Sequence, residues 1–336
     1  MIPIAPLSRR QALLGLSALA ASSMTQPAEP RRAAASPIVD VHAHFQPDVL
    51  RALGMPGPMA AWSVQKHLDD MGAAGVTRSL LSVTTPGVPE TGERARTLAR
   101  GINEDAAKLA ADHRGLSYFL ALPMDDPDAA LKEIEYGFDV LKAPGVGLFT
   151  SYGGEWLGDK RFDPVFQELN RRKAVVYVHP NTANCCGRLS PEVADTLIEY
   201  GTDTTRAIAS YIYRGAARRF PDVRMIFSHS GGTMPFLIER FEGADRGPAA
   251  RAQAPDGFRA TAARFFYDIA QSTHAVPSRA LRQLVPVNHI VFGSDYPFRT
   301  TREHVQGLEA DRVYSVEELK GIHAGNVERF LPELMR

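Results

Sequence analysis

The clearest strand signal in the chain is the stretch IVDVHAHF, from Ile38 to Phe45. Its β-branched residues favour a buried strand, and its period of two places His42 and His44 on the same face. Two imidazoles at one side of a strand end can reach a common point, as the ligands of a metal ion must. The pair alone also fits two surface histidines, so the interpretation depends on the rest of the chain.

Seven further apolar runs predict strands, at Val76 to Val83, Leu116 to Leu122, Val146 to Thr150, Ala174 to His179, Val223 to His229, Phe265 to Ala270 and His289 to Asp295. Helical patterns lie between most of them, at Glu93 to Ala111, Ala129 to Lys142, Pro164 to Arg172 and Pro191 to Phe220. Strands that alternate with crossover helices are parallel. Eight such units predict an α/β fold, a (β/α)8 TIM barrel. The alternative is a doubly wound open sheet, which the absence of a Gly-x-Gly-x-x-Gly turn disfavours.

Isolated polar residues stand at the carboxyl ends of several predicted strands. His179 ends the fifth strand, His229 the sixth and Asp295 the eighth. In a barrel these ends meet at the one face that carries catalytic residues, so the three side chains should converge with His42 and His44. This convergence predicts a metal centre.

The composition excludes several functional classes. The chain has 336 residues, with 38 basic and 38 acidic side chains and a net charge of zero. Without a basic excess, a nucleic-acid partner is not expected. Hydrophobic residues at 44% and charged residues at 23% fit neither a disordered chain nor a multi-spanning membrane protein. A small molecule is the expected partner.

The first 35 residues read as a leader rather than as part of the fold. Ser8-Arg9-Arg10-Gln11, followed by the apolar run Ala12 to Ala21, resembles a twin-arginine export signal. The apolar run is too short to cross about 30 Å of hydrocarbon, so no membrane span is expected. The sequence thus predicts export, to the periplasm or beyond, of a single barrel domain at residues 36–336. A disordered tail is the alternative.

The order of the strand-end motifs resembles the amidohydrolase superfamily. The motifs are the His-x-His pair, His179, a His-Ser-Gly-Gly segment that begins at His229, and Gly-Ser-Asp-Tyr-Pro ending at Pro297. From about Ile38 to Phe330 the chain is similar to the branch that contains aminocarboxymuconate semialdehyde, gamma-resorcylate and methylsalicylate decarboxylases. The resemblance implies a barrel of the metal-dependent hydrolase type.

The same resemblance implies the roles of the site residues. His42, His44, His179 and Asp295 would be metal ligands, and His229 a catalytic residue beside the metal. Binuclear members bridge two ions with a carboxylated lysine after strand four, and residues 147–151 contain no lysine, so one ion is implied. Three imidazoles and a carboxylate make Zn2+ the first expectation, with Mn2+ as the alternative.

The expected reaction is non-oxidative decarboxylation of a small aromatic or unsaturated carboxylic acid, salicylate-like in having a neighbouring oxygen. The carbon should be protonated before CO2 leaves, because the opposite order creates an unstable anion. Asp295 could deliver this proton through its free oxygen or through a water at the metal, with His229 polarising that water. Either residue could be the donor at this point.

Two other functions remain open from the sequence. The same centre could hydrolyse a lactone, ester or amide, with Asp295 accepting the proton of a metal-bound hydroxide. A non-catalytic metal or ligand binder is the second alternative. Release of CO2 from salicylate-like acids would distinguish the decarboxylase from both.

Further residues give weaker signals. Arg206 could pair with the substrate carboxylate, although an ordinary surface or interface arginine fits as well. His274 follows the seventh strand and is a second candidate for substrate contact. Cys185 and Cys186 are expected to be free thiols, because sequence neighbours seldom form an unstrained bridge. A homodimer is a possible assembly that no motif specifies.

Overall fold

The computed structural model describes residues 37–54, 57–88 and 91–335, and at its centre lies a parallel sheet of eight strands. The strands are β1 Ile38–His44, β2 Val76–Ser82, β3 Leu116–Ala121, β4 Gly145–Phe149, β5 Val175–His179, β6 Arg224–Phe227, β7 Phe266–Asp268 and β8 Ile290–Val291. They are paired in sequence order. The predicted strands agree to within one residue for β1 to β5 and overrun the ends of β6, β7 and β8.

The sheet closes through the segment that follows β8. Val41 N donates to Phe292 O at 3.0 Å, Asp295 N donates to His42 O at 2.8 Å, and His44 N donates to Tyr296 O at 2.8 Å. These bonds join the last strand region to the first, and the predicted (β/α)8 barrel is confirmed. The regular strand β8 ends at Val291, earlier than predicted, and Asp295 further along has a left-handed backbone with φ of 60°.

The helices cover the outside of the barrel between successive strands. They are α1 Asp48–Arg51, α2 Val64–Ala74, α3 Gly92–Asp112, α4 Pro127–Asp139, α5 Asp163–Arg171, α6 Asp195–Tyr213, α7 Ala216–Arg219, α8 Ile238–Ala244, α9 Pro248–Gln253, α10 Phe258–Ala262, α11 Ala275–Arg282, α12 Thr301–Ala310, α13 Val316–Lys320 and α14 Asn326–Glu328. A π-helical turn at Gly321–Gly325 precedes α14, and a small hairpin pairs Ser151–Tyr152 with Glu155–Trp156.

Local sequence explains where several helices begin and end. Asp126 caps α4 by accepting from Ala129 N, and Thr300 forms a reciprocal capping box with Glu303 at the start of α12. The long helix predicted at 191–220 is instead split into α6 and α7. Gly215 separates them in a left-handed conformation, with φ of 75°, which continues no helix.

An inner apolar layer stabilises the barrel. The inner layer includes Val41, Leu80, Phe119 and Tyr177, whose side chains are buried within the ring of strands. At the end of the barrel where the strands begin, this layer continues into the carboxyl-terminal segment of the chain. There the ring centroids of Phe330 and Phe266 are 4.3 Å apart. The filled interior leaves the carboxyl ends of the strands as the face on which a site can form.

The turn after β5 differs from the prediction. Cys185 and Cys186 are joined by a disulfide, which corrects the expectation of free thiols. The chain turns at residues 184–188, and this turn brings the two neighbouring sulfur atoms to the same side.

The structure bears on the expected absence of a membrane span but not on the predicted leader. Among the described residues, no helix combines the length and the apolar character that crossing a bilayer requires. The predicted leader at residues 1–35 lies outside the described residues.

Candidate metal centre

Four buried side chains meet at the carboxyl ends of the strands. His42 and His44 extend from the end of β1, His179 from the end of β5, and Asp295 from the loop after β8. Each offers one ligand atom, and these atoms all lie within 4.8 Å of one another. His44 Nε2 is 3.2 Å from His42 Nε2 and 3.1 Å from Asp295 Oδ1. The structure thus brings together the residues predicted as ligands.

The other ring nitrogen of each imidazole faces an acceptor outside the cluster. Nδ1 of His42 lies 3.0 Å from Asp268 Oδ2, Nδ1 of His44 lies 3.3 Å from Ser82 O, and Nδ1 of His179 lies 2.8 Å from Pro180 O. An acceptor at Nδ1 favours the proton on that atom and leaves the lone pair of Nε2 directed into the cluster. Such second contacts orient histidines that bind metals.

Charge at the centre is strongly affected by burial. Burial lowers the pKa of His44, and it lowers the pKa of His179 well below its ordinary value. Burial also opposes charge on His42, but the carboxylates of Asp268 and Asp295 raise its pKa to about 10. For Asp295, burial opposes ionisation, yet His42 and the neighbouring imidazoles hold its pKa well below the ordinary value. Without an ion, His42 is therefore protonated on both ring nitrogens, between two buried carboxylates. A divalent cation would take the place of the Nε2 proton, so the donor set fits such an ion.

Asp40 holds two segments of the centre together but is not one of the four clustered side chains. Its carboxylate accepts from His42 N at 3.0 Å, from Ser294 N at 3.1 Å and from Ser294 Oγ at 2.5 Å. Burial raises its pKa to about 7. Asp40 thus ties the strand that carries His42 to the residue that precedes Asp295.

His229 lies beside the cluster, in a turn that needs glycine. His229 and Ser230 have φ of 52° and 56°, and Gly231 and Gly232 follow in the same left-handed region. A Cβ on Gly232 would overlap the backbone carbonyl of Gly201 on α6, so only glycine fits there. The turn directs the His229 ring at the cluster, with Nε2 3.4 Å from Asp295 Oδ2.

Sequence reasoning missed the contribution of β7. Asp268 ends this strand and is fully buried; Oδ2 faces His42, and Oδ1 accepts from the backbone N–H groups of His229 and Ala270. Gln271, three residues later, donates its side-chain amide to Asp295 Oδ2. Asp268 has the same sequence feature as His179 and His229, because it is a polar residue at the end of an apolar run. Nothing in the residue type of Gln271 marks it.

Two weaker candidates lie in other surroundings. Arg206, on α6, is 3.3 Å from Glu199 and 3.8 Å from Asp203, so its guanidinium already faces two carboxylates. His274 is exposed and precedes the first residue of α11. In the described part of the chain, no contact joins either residue to the cluster.

Aromatic rings surround the opening of the centre. The centroid of Phe298 is 5.8 Å from that of His44, and Phe298 is 41% exposed. The rings of Phe149 and Tyr200 each have centroids 6.1 Å from that of His179. A flat apolar group bound at the centre would therefore contact aromatic faces or edges.

Known proteins resemble this chain in sequence and in fold. Residues 39–332 match the sequence profile of a family described as Amidohydrolase. The chain is 33% identical to the 6-methylsalicylic acid decarboxylase of Penicillium expansum over 273 residues, which cover 77% of this chain and 84% of that protein. It is 31% identical to decarboxylase yanB of Aspergillus niger over 323 residues, 88% of this chain and 87% of that protein.

A solved structure extends the likeness to three dimensions. The dihydroxybenzoic acid decarboxylase from Polaromonas sp. JS666, which contains bound manganese and the inhibitor 2-nitroresorcinol, superposes with a TM-score of 0.78 at 18% identity. The superposition covers 90% of this chain and 98% of that chain. At this identity the likeness concerns the fold.

Proposed function

This chain belongs to the amidohydrolase family, as the order of its motifs predicted, and we propose that it is a metal-dependent decarboxylase of a small aromatic carboxylic acid. The reaction is non-oxidative: CO2 leaves, and a proton takes its place on the ring carbon. The substrate is salicylate-like, with a hydroxyl group next to the carboxylate. The relatives named as 6-methylsalicylic acid decarboxylases support this substrate class.

The observation that carries the proposal is the arrangement of the two oxygens of Asp295. Oδ1 lies among the imidazoles, 3.1 Å from His44 Nε2 and 3.3 Å from His42 Nε2. Oδ2 points away from them and lies 3.4 Å from His229 Nε2. One carboxylate can thus contribute to a metal site through one oxygen and exchange a proton through the other.

We propose that His42, His44, His179 and Asp295 hold a single divalent ion. When bound, this ion supplies positive charge that binds the carboxylate and hydroxyl oxygens of the substrate. Three imidazoles and one carboxylate suit zinc, which is our first expectation, and manganese is the alternative. Metal analysis of the purified protein decides between them.

His229 and Asp295 form the proton-transfer pair. Proton transfer from this pair to the ring carbon that bears the carboxylate precedes CO2 release. The C–C bond then breaks, and its electron pair restores the aromatic ring. A proton donor placed in this way contributes typically about 10²- to 10⁴-fold to the rate. Asp295 is buried, and the partly exposed His229 lies between it and the opening.

The aromatic residues at the opening support an aromatic substrate. Phe298, Tyr200 and Phe149 lie around the imidazoles, where they can pack on the ring while its carboxylate reaches the centre. Arg206 stays a low-ranked candidate for carboxylate binding, since Glu199 and Asp203 already neutralise it.

The test is CO2 release from 6-methylsalicylate and related ortho-hydroxy acids by purified, metal-analysed protein. We expect release that stops after chelation and returns when the ion is added back. Benzoate is the matched control, because it lacks the ortho oxygen. Acid release from lactones or esters without CO2 from any acid would establish the hydrolase alternative. A metal-loaded protein that is inert to all of these compounds would indicate a binding protein.

Localisation and assembly are separate proposals from the sequence. Residues 1–35 direct export by the twin-arginine route, and the Cys185–Cys186 disulfide fits an oxidising compartment. Replacing Arg9 and Arg10 together by lysine should retain the protein in the cytoplasm on cell fractionation. We also propose that two copies of the chain pair, and solution scattering would measure the mass of the assembly.

A further inference from the structure

Three residues that follow the last three strands share an uncommon backbone conformation. His229, Gln271 and Asp295 have φ of 52°, 51° and 60°. Non-glycine residues are uncommon in this left-handed region, and they often lie at functional sites. Two of the three already belong to the proton-transfer pair. The same conformation at Gln271 therefore requires an explanation.

All three residues meet at one atom, the outer oxygen Oδ2 of Asp295. His229 Nε2 lies 3.4 Å from it, and the side-chain amide of Gln271 donates to it. The inner oxygen Oδ1 has no such neighbour and faces His42 and His44 instead. The outer oxygen is thus held from two sides by residues whose backbones are both strained.

The backbone of Gln271 is anchored independently of its side chain. Its N–H donates to His304 Nε2 at 2.8 Å, and His304 Nδ1 lies 3.1 Å from Thr300 O at the start of α12. Because Nε2 accepts, Nδ1 carries the ring proton and donates to Thr300. Gln271 is exposed while Asp295 is buried, so its side chain reaches from the opening down to the carboxylate.

We propose that Gln271 is a positioning residue, which holds the Asp295 carboxylate with one oxygen toward the imidazoles and the other toward His229. This role rests on the proposed function. Rotation about the terminal bond of an aspartate is broad, so a carboxylate without an outer partner can turn both oxygens toward the same side. The amide of Gln271 opposes that rotation and keeps the outer oxygen at the opening, next to the substrate carbon.

The experiment compares Gln271→Leu with Gln271→Gly. Leucine preserves bulk without the donor, and glycine also removes the donor but adopts the left-handed backbone without strain. We expect both variants to keep the metal and to lose about 10- to 100-fold in kcat, with KM nearly unchanged. The control is Arg312→Gly, because Arg312 is an exposed left-handed residue, with φ of 49°, outside the centre.

A second readout does not depend on turnover. With Co2+ in place of the native ion, the visible absorption of both Gln271 variants should change, because the carboxylate reorients. If wild-type protein releases no CO2, the proposed function fails, and the cobalt spectrum still tests Gln271.

Three results would overturn the proposal: wild-type kcat and spectrum in both variants, a rise in KM alone, or recovery of kcat in the glycine variant. The last would mean that backbone strain, rather than the amide, is what matters.

Discussion

Nδ1 of His42 lies 3.0 Å from Oδ2 of Asp268, and both residues are shielded from solvent. The other oxygen of Asp268 accepts from the backbone N–H groups of His229 and Ala270. One carboxylate at the end of β7 therefore orients a predicted ligand and, at the same time, the turn that carries His229. It connects the proposed metal centre to the proposed proton-transfer pair.

Asp268→Asn should weaken metal binding by about 10- to 100-fold. An amide can accept on one side only, so either His42 Nδ1 or the two backbone N–H groups must then face its NH2 group. The dissociation constant is measured by competition with a chromophoric chelator. Asp222→Asn is the control, because Asp222 is exposed. Unchanged affinity in Asp268→Asn would show that the His42–Asp268 contact does not support the ion.

His229→Ala should lower kcat by about 10²- to 10⁴-fold while metal content stays at the wild-type level. The reason is that His229 contacts Asp295 through the outer oxygen and lies outside the cluster of four. Asp295→Asn, by comparison, should lose both activity and metal. Metal content and CO2 release are measured on the same samples. Full turnover in either variant would remove that residue from the mechanism.

The site could be predicted in part because its residues obey local rules. His42 and His44 follow from a period of two, and His179, His229 and Asp295 follow from their places at the ends of apolar runs. The barrel then implies that these ends meet. A few neighbouring residues and one rule about the fold are therefore enough to mark each of these positions.

The remaining features depend on contacts between distant segments. Asp268 pairs with a residue 226 positions away, and one sequence does not specify that pairing. The role of Gln271 depends on a left-handed backbone, which residue type does not reveal. The predicted eighth strand runs past the end of β8 for a similar reason, because the chain leaves the regular strand after Val291 and bonds with β1 instead. Gly215 did mark the end of α6, but the amphipathic pattern on both sides of it concealed the break.

Stability should fall as the pH decreases from 6.5 toward 4, in part because of His67. Burial lowers the pKa of His67 from 6.5 to about 4, with a smaller contribution from His44. Nδ1 of His67 accepts from Trp62 Nε1 at 3.4 Å, and Nε2 lies 2.9 Å from Ser79 Oγ, so the folded chain favours the neutral ring. The unfolded chain takes up a proton below pH 6.5 and the folded chain does so only near pH 4.

The contribution of His67 to the free energy of unfolding should fall by up to about 3 kcal/mol at the acid end of this range. Urea unfolding at several pH values measures it. His67→Gln should have a shallower dependence on pH, and His274→Gln, at an exposed position, should behave like the wild type. Parallel curves for wild type and His67→Gln would contradict the assignment.

Replacement by alanine should have opposite effects on stability at two glycines. A Cβ on Gly158 would overlap the backbone carbonyl of Ser210 on α6, whereas a Cβ on Gly72, exposed within α2, meets no atom within 4 Å. Gly158→Ala should therefore lower Tm. Gly72→Ala should stabilise by roughly 0.5–1 kcal/mol, because alanine is the better helix former. Equal Tm values for the two variants would show that α6 can move away from residue 158.

The adjacent cysteines should be detected by intact-mass measurement. Protein purified without reductant should gain two hydrogen masses after treatment with a dithiol reductant, because Cys185 and Cys186 are bridged. Cys186→Ser leaves one cysteine and should show no gain as a monomer. Two alkylated thiols in the untreated wild type would restore the expectation of free cysteines.

The bonds between His42 and the segment around Asp295 join the two ends of the ring of strands, at residues 251 or more positions apart. The centre therefore exists only once ribosomal synthesis has passed Asp295 and the last strand has docked on the first. A nascent or carboxyl-terminally truncated chain presents imidazoles without their carboxylate. An ion bound by these residues would also join the first strand to the last, so we expect only the completed chain to bind the metal.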